Sequence, residues 1–194
     1  MDDDNIEIEE KLNQLSSKNF LVSNNKIYFY CDITTENILQ LTKALHELNE
    51  ELLLASLKYG IDDPIIEVHL DSDGGKVFSG FAGYNAIRAS KIPVHTYVDG
   101  HAHSAATFLL LAGQRRFMYE TSSILIHQLQ AEIGGKFNDL IDEASNMESL
   151  MKSMRHIYKT NSKIPAKKLD EYLKREIYVD SKTCLDYGIV HEIL

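Results

Sequence analysis

The feature that most restricts this chain's fold is an alternation of short β-prone runs with segments of helical period. Ile27-Tyr28-Phe29-Tyr30-Cys31 is β-branched and aromatic, and Asp32 to Thr35 then supply turn and capping groups, with Glu36 placed in the first turn of a helix. Ile38, Leu41, Leu45, Leu48 and Leu52 recur at spacings of three and four, which draws one apolar stripe facing a sheet. Gly60 to Pro64 ends that element. Ile65 to Leu70 repeats the strand pattern, and Asp71-Ser72-Asp73-Gly74-Gly75 turns into a helix bearing Val77, Phe78, Phe81, Tyr84 and Ile87. Ile92 to Val98 repeats it again, with Gly100 to His103 as a tight turn and Ser104 to Ala112 as a helix too apolar to lie at a surface. Strand and helix in alternation require parallel crossovers, so an α/β fold of stacked βαβ units is expected.

Arg115 to Met118 and Ser123 to His127 read as further strands. From about Lys136 to Thr160, Phe137, Leu140, Ile141, Ala144, Met147, Met151, Met154 and Tyr158 define an amphipathic helix of about 35 Å at 1.5 Å per residue. A helix of that length outruns the core beneath it, and its uncovered Met, Leu and Ile predict self-association. Pro165 opens a short helix through Lys174, Tyr178-Val179 is a small strand, and Ser181 caps a final turn closed by Gly188. Residues 1–24 are polar, with Ile6, Leu12, Leu15, Phe20 and Leu21 as the apolar anchors, and read as an N-terminal arm containing a short helix. The expected division is therefore an arm at 1–24 and one folded domain at 25–194.

The balance of 29 acidic against 20 basic side chains, a formal charge of −9, repels phosphate backbones and anionic membranes, so no nucleic-acid or membrane partner is expected. Cys31 and Cys184 are too few and too distant for a disulfide framework, which fits a reducing compartment. The acidic opening Met1-Asp2-Asp3-Asp4-Asn5 has no apolar run behind it, and no stretch approaches the roughly 18 apolar residues of a spanning helix, so a cytoplasmic location is expected.

Ser104, His127 and an acidic residue near position 176 occur in an order that suits nucleophilic catalysis. A serine hydroxyl attacks a carbonyl efficiently when a base takes its proton and a carboxylate fixes the base's tautomer. Ser104 stands where a strand gives way to a buried helix, near free N–H groups, although an N-cap would occupy the same place. Ala102 and Ala106 replace the two glycines of the α/β-hydrolase elbow, which disfavours that fold. His127 ends the run Ile124-Leu125-Ile126, at the strand edge where α/β proteins collect functional groups. Gly74-Gly75 lacks the Lys-Ser or Lys-Thr of a phosphate loop and the third glycine of a dinucleotide loop, so no nucleotide cofactor is expected. The pair does allow close approach to the main chain, where an N–H can stabilise an oxyanion. His101 and His103 share one face of an extended segment, but no third ligand stands at an ordered spacing, so no metal is expected.

Assembled, these residues resemble the proteolytic subunit of the Clp protease, a ClpP-type serine peptidase of the crotonase-like superfamily. The similarity runs from about Lys26 to Leu194. It rests on Asp71-Ser72-Asp73-Gly74-Gly75 against the family's Asn-Ser-Pro-Gly-Gly, on Gly100-His101-Ala102-His103-Ser104-Ala105-Ala106 against Gly-Gln-Ala-Ala-Ser-Met-Gly, on Ile126-His127-Gln128 and on Tyr187-Gly188-Ile189-Val190. The resemblance implies Ser104 as nucleophile, His127 as general base, and the N–H groups of Gly75 and Ala105 as the oxyanion hole. Register on Tyr187-Gly188 puts Glu176 where the family has an aspartate, with Asp180 as the alternative acid. The resemblance also implies two stacked heptameric rings, a tetradecamer joined through the segment from Gln128 to Thr160, with Arg175 in ionic contacts between rings. It implies a serine endopeptidase that hydrolyses unfolded polypeptides delivered by a separate AAA+ Clp unfoldase, since the chain carries no ATP-binding motif.

Two features open a second expectation. Glu176 replaces aspartate and Ala105-Ala106 replaces Met-Gly beside the serine, a pattern that also suits a weakly active or inactive structural subunit of a mixed ring. Glu67 and His69 stand where the family lines its unfoldase pocket with tyrosines. Acyl-CoA chemistry of the crotonase kind fits the fold but gives Ser104 and His127 no task.

Overall fold

The computed structural model describes residues 19–194. The short helix expected in the N-terminal arm lies outside the described residues. Phe20–Ser23, expected to be part of that arm, instead forms a strand, β1, paired antiparallel with β2 at Lys26–Phe29. Phe20 explains the docking, because its ring meets Phe29 edge-on at 6.0 Å.

The alternation seen in the sequence becomes a mostly parallel sheet. Helix α1, Thr35–Tyr59, begins where the Thr34 side chain accepts from Asn37 N–H at 3.1 Å, and it ends at Gly60 in the left-handed conformation, φ +67°. Strand β3, Ile66–Ser72, helix α2, Val77–Arg88, strand β4, Val94–His103, helix α3, Ala106–Ala112, and strands β5, Arg115–Met118, and β6, Ser123–Leu125, follow. Then come α4, Phe137–Asn161, α5, Ala166–Tyr172, β7, Tyr178–Asp180, α6, Ser181–Asp186, and β8, Glu192–Ile193. The strand order is β1-β2-β3-β4-β5-β8, with β6 on β4 and β7 on β6. Among the described residues only the β1–β2 and β6–β7 pairs are antiparallel.

Gly100 to His103 is not a tight turn but the second half of β4, whose first half pairs with β5 and whose end, His101–His103, pairs with β6. After an irregularity between Leu70 and Ser72, β3 rejoins β4 at Ser72↔Ala102, so the extended path continues three residues past the glycine. A Cβ at Gly100 would meet the Asp71 carboxylate, so a larger residue there would push that side chain aside. β4 thus carries the chain to Ser104, the point from which α3 departs.

Helix α3 is buried on every side, as its composition requires, and Leu109, Leu110 and Leu111 join Ile27, Phe29, Val68, Leu70 and Val98 in the core. Arg116 of β5 is buried and donates to the carbonyls of Gly113, Asn161, Gly188 and Ile189, at 2.7 to 3.3 Å. It joins the end of α4 to the C-terminal segment. The cap of α6 is Asp180 rather than Ser181: the Asp180 carboxylate accepts from Thr183 N–H at 2.8 Å, while the Ser181 hydroxyl donates to the Glu120 carbonyl at 3.0 Å.

Helix α4 has 25 residues, a length of about 37 Å. Only Met154, Ile157 and Tyr158, in its last turns, are buried. Phe137 is 76% exposed and Ile141 51%, so the apolar stripe read from the sequence is covered at one end and open at the other. Among the described residues, no helix is long and apolar enough to cross a membrane.

Candidate active site

Ser104 follows the last residue of β4 and has φ +53°, a left-handed conformation rare for a side chain other than glycine or asparagine. Such a residue costs of order 1 kcal/mol and persists because its surroundings fix it. Its N–H donates to the Leu125 carbonyl at the end of β6, at 2.8 Å, and its carbonyl accepts from the Thr107 N–H and hydroxyl at 3.0 and 2.6 Å. The Thr107 hydroxyl in turn bonds that of Tyr158, fully buried on α4. The serine turn is therefore held from the sheet on one side and from the long helix on the other.

The glycine loop closes on that turn. A Cβ at Gly74 would lie 2.8 Å from Ser104 Cβ and 2.6 Å from the His103 carbonyl, so only glycine permits the approach. Gly75, at φ +146°, lies equally close to the Ile33 carbonyl. Ile33 N–H donates to Gly74 O at 2.7 Å and Lys76 N–H donates to Ile33 O at 2.9 Å, which fixes the loop. Within this frame the N–H groups of Gly75 and Ala105 donate to no atom of the described residues. Gly75, Ser104, Ala105 and His127 line one cleft of about 380 Å³, with apolar walls from Val77, Phe108, Leu129 and Met154.

His127 lies two residues beyond β6, the strand neighbouring the one that delivers Ser104. Its Nδ1 is 3.1 Å from Glu176 Oε1. The segment after His127 is tied to the chain before Glu176 by Gln128 N–H donating to the Leu173 carbonyl at 2.9 Å. Asp180, the alternative acid, is committed to capping α6, and the Thr183 N–H it accepts holds its carboxyl below the usual range. Glu176 is thus the carboxylate that lies within hydrogen-bond reach of His127, while Asp180 is spent on Thr183. Among the described residues no hydrogen bond joins the Ser104 hydroxyl to the His127 ring. The structure thus brings Ser104, His127, Gly75 and Ala105 into one cleft and joins His127 to Glu176, leaving the serine–histidine contact open.

The family model of the Clp protease matches residues 12–194. The chain belongs to the Clp protease family. It is 30% identical over 131 residues to the ATP-dependent Clp protease proteolytic subunit of Deinococcus radiodurans, a match spanning 66% of this chain and 64% of that protein. A solved structure of a ClpP1 mutant from Listeria monocytogenes superposes with a TM-score of 0.72 at 21% identity, covering 85% of this chain and 88% of that one, and shows the fold is shared.

Within this Clp-family chain, one grouping escaped the sequence reading. Asp73, at the place of the family's expected proline, meets both His101 and His103, with Oδ1 3.1 Å from His101 Nε2 and 3.6 Å from His103 Nδ1. The separation of 28 residues between Asp73 and His101 follows no ligand spacing, and it is the β3–β4 pairing that joins them. The link from Ser104 through Thr107 to Tyr158 was equally invisible, since a threonine and a tyrosine 51 residues apart carry no periodic signal.

Proposed function

We propose that this chain is a serine endopeptidase subunit of the Clp type, acting on unfolded polypeptides within a ring assembly. The observation that carries the reading is the Glu176–His127 contact in the cleft that also holds Ser104. His127, its Nδ1–H directed at Glu176, takes the Ser104 proton at Nε2 as the hydroxyl oxygen attacks the scissile carbonyl. The developing oxyanion accepts from the unspent N–H groups of Gly75 and Ala105. The imidazolium protonates the leaving amine, an acyl-enzyme remains on Ser104, and water activated by the same imidazole releases the acid. Catalytic contacts of this kind are often long without substrate, and we infer that peptide binding or ring assembly draws His127 onto Ser104.

The apolar walls at Val77, Phe108 and Met154 suit an apolar substrate side chain beside the cleavage point. Substitution of Glu176 tests the reading: Glu176→Ala is expected to lower kcat for fluorogenic peptides by about 10²-fold with KM little changed, and Asp180→Ala to leave kcat within about twofold. Equal kcat in wild type and Glu176→Ala would overturn the assignment of the acid.

The open face of α4 supports assembly into rings stacked as a tetradecamer, since Phe137 and Ile141 lie exposed among the described residues. Phe137→Asp with Ile141→Asp is expected to halve the assembly, read as sedimentation of single rings or smaller species. A variant sedimenting as wild type does would remove α4 from the interface. Delivery of substrate by a separate ATP-driven unfoldase completes the proposal. The setting inferred is cytoplasmic, in keeping with two free cysteines, both pushed by burial up to about 12 and so held as thiols.

A further inference from the structure

We propose that Asp73, His101 and His103 form a binding site for a divalent transition metal, Zn²⁺ by its donor set, at the rim of the cleft. Strand β4 presents His101 and His103 two residues apart on one face, with their rings 4.4 Å apart. The loop after β3 brings Asp73 across, and ligand atoms from the three residues all lie within 4.8 Å of one another. Four tetrahedral ligands at the 2.0–2.1 Å of Zn–N and Zn–O bonds stand about 3.3 Å apart. The contacts of Asp73 Oδ1 with His101 Nε2 and His103 Nδ1, 3.1 and 3.6 Å, bracket that value.

The remaining ring nitrogens are held as a metal site requires. His101 Nδ1 is 2.6 Å from Asp71 Oδ1, and His103 Nε2 is 3.4 Å from the Ser123 hydroxyl. The His103 ring also stacks on Tyr178, at 5.0 Å, which fixes its plane. A neutral imidazole has one N–H, yet His101 faces a carboxylate at each nitrogen. One of those contacts would set lone pair against lone pair. A cation between His101 Nε2 and Asp73 removes the conflict, with Nδ1–H donated to Asp71. Asp73 is mostly exposed, so water completes the fourth position. Two imidazoles and one carboxylate suit zinc rather than magnesium or calcium, which prefer all-oxygen ligands.

Gly74 and Gly75 follow Asp73 directly, so a bound ion ties the glycine loop to the end of β4 beside Ser104. The site itself does not depend on the peptidase reading, and its test uses no turnover. Full-length protein stripped with EDTA and titrated with ZnCl₂ in a calorimeter is expected to bind one Zn²⁺ per subunit. Co²⁺ in its place is expected to give the intense visible d–d bands of a tetrahedral ion. Asp73→Asn, an exposed substitution that keeps the loop's shape, is expected to weaken zinc binding at least tenfold, and His101→Ala with His103→Ala to abolish it, both with wild-type circular dichroism. Three results would overturn the proposal: no zinc uptake by the wild type, which would leave only an imidazolium ion pair; uptake unchanged in the double variant; or octahedral Co²⁺ spectra.

Discussion

Ser104→Ala is expected to lower peptide hydrolysis by at least about 10³-fold while leaving fold and assembly intact. The loss should fall on kcat, because the hydroxyl is the proposed attacking atom and the walls of the cleft are untouched. The replacement is also expected to be structurally mild. The contacts that fix this turn are made by the Ser104 main chain, through its N–H to Leu125 and its carbonyl to Thr107, and alanine keeps both. The left-handed φ of +53° remains, at a cost alanine shares with serine. Residual turnover would come from Gly75 and Ala105, whose N–H groups still polarise a carbonyl for attack by water. A variant with kcat within tenfold of wild type would deny Ser104 its role.

The second large effect concerns stability. Arg116→Ala is expected to destabilise the subunit by about 3 kcal/mol or more, a fall in Tm of about 10 °C for a chain of this size. Among the described residues the buried guanidinium has no carboxylate partner, and its compensation comes from the carbonyls of Gly113, Asn161, Gly188 and Ile189. Burial pushes it down to about 10, so it is still charged at neutral pH and each of these bonds is charge-assisted. Removing it leaves four main-chain acceptors without their donor at the junction of α4 and the C-terminal segment. Arg116→Lys should recover little, because one ammonium cannot reach carbonyls on three sides. A melting temperature within 2 °C of wild type, by calorimetry, would contradict the account of this junction.

The same contrast between local and distant information explains what could be read from the sequence. The helices α1, α2 and α4 were legible because Ile38, Leu41, Leu45 and Leu48 point one way at helical spacing, and because α4 repeats its apolar residues in the same fashion. Ser104 and His127 were legible because each closely follows a strand, and the parallel neighbours β4 and β6 bring their carboxyl ends together. The second half of β4 was not. Gly100 reads as a turn residue, and nothing nearby signals that Asp71 must pack against it. The surroundings of Glu176 and Asp180 were closed to sequence for a related reason: that Asp180 caps α6 through the Thr183 N–H while Glu176 lies against His127 is set by packing and not by any local pattern. Asp73 joined His101 and His103 only through strand pairing.

On the proposed function, Ser104 becomes an activated nucleophile in the assembled protein. Labelling with a fluorophosphonate, followed by peptide mass spectrometry, tests it most directly, because phosphonylation needs a serine whose proton a neighbouring base removes. One adduct per subunit is expected, on Ser104, lost in Ser104→Ala and slowed in Glu176→Ala. Assembled wild-type protein that stays unlabelled, or that carries its adduct on another residue, would contradict it.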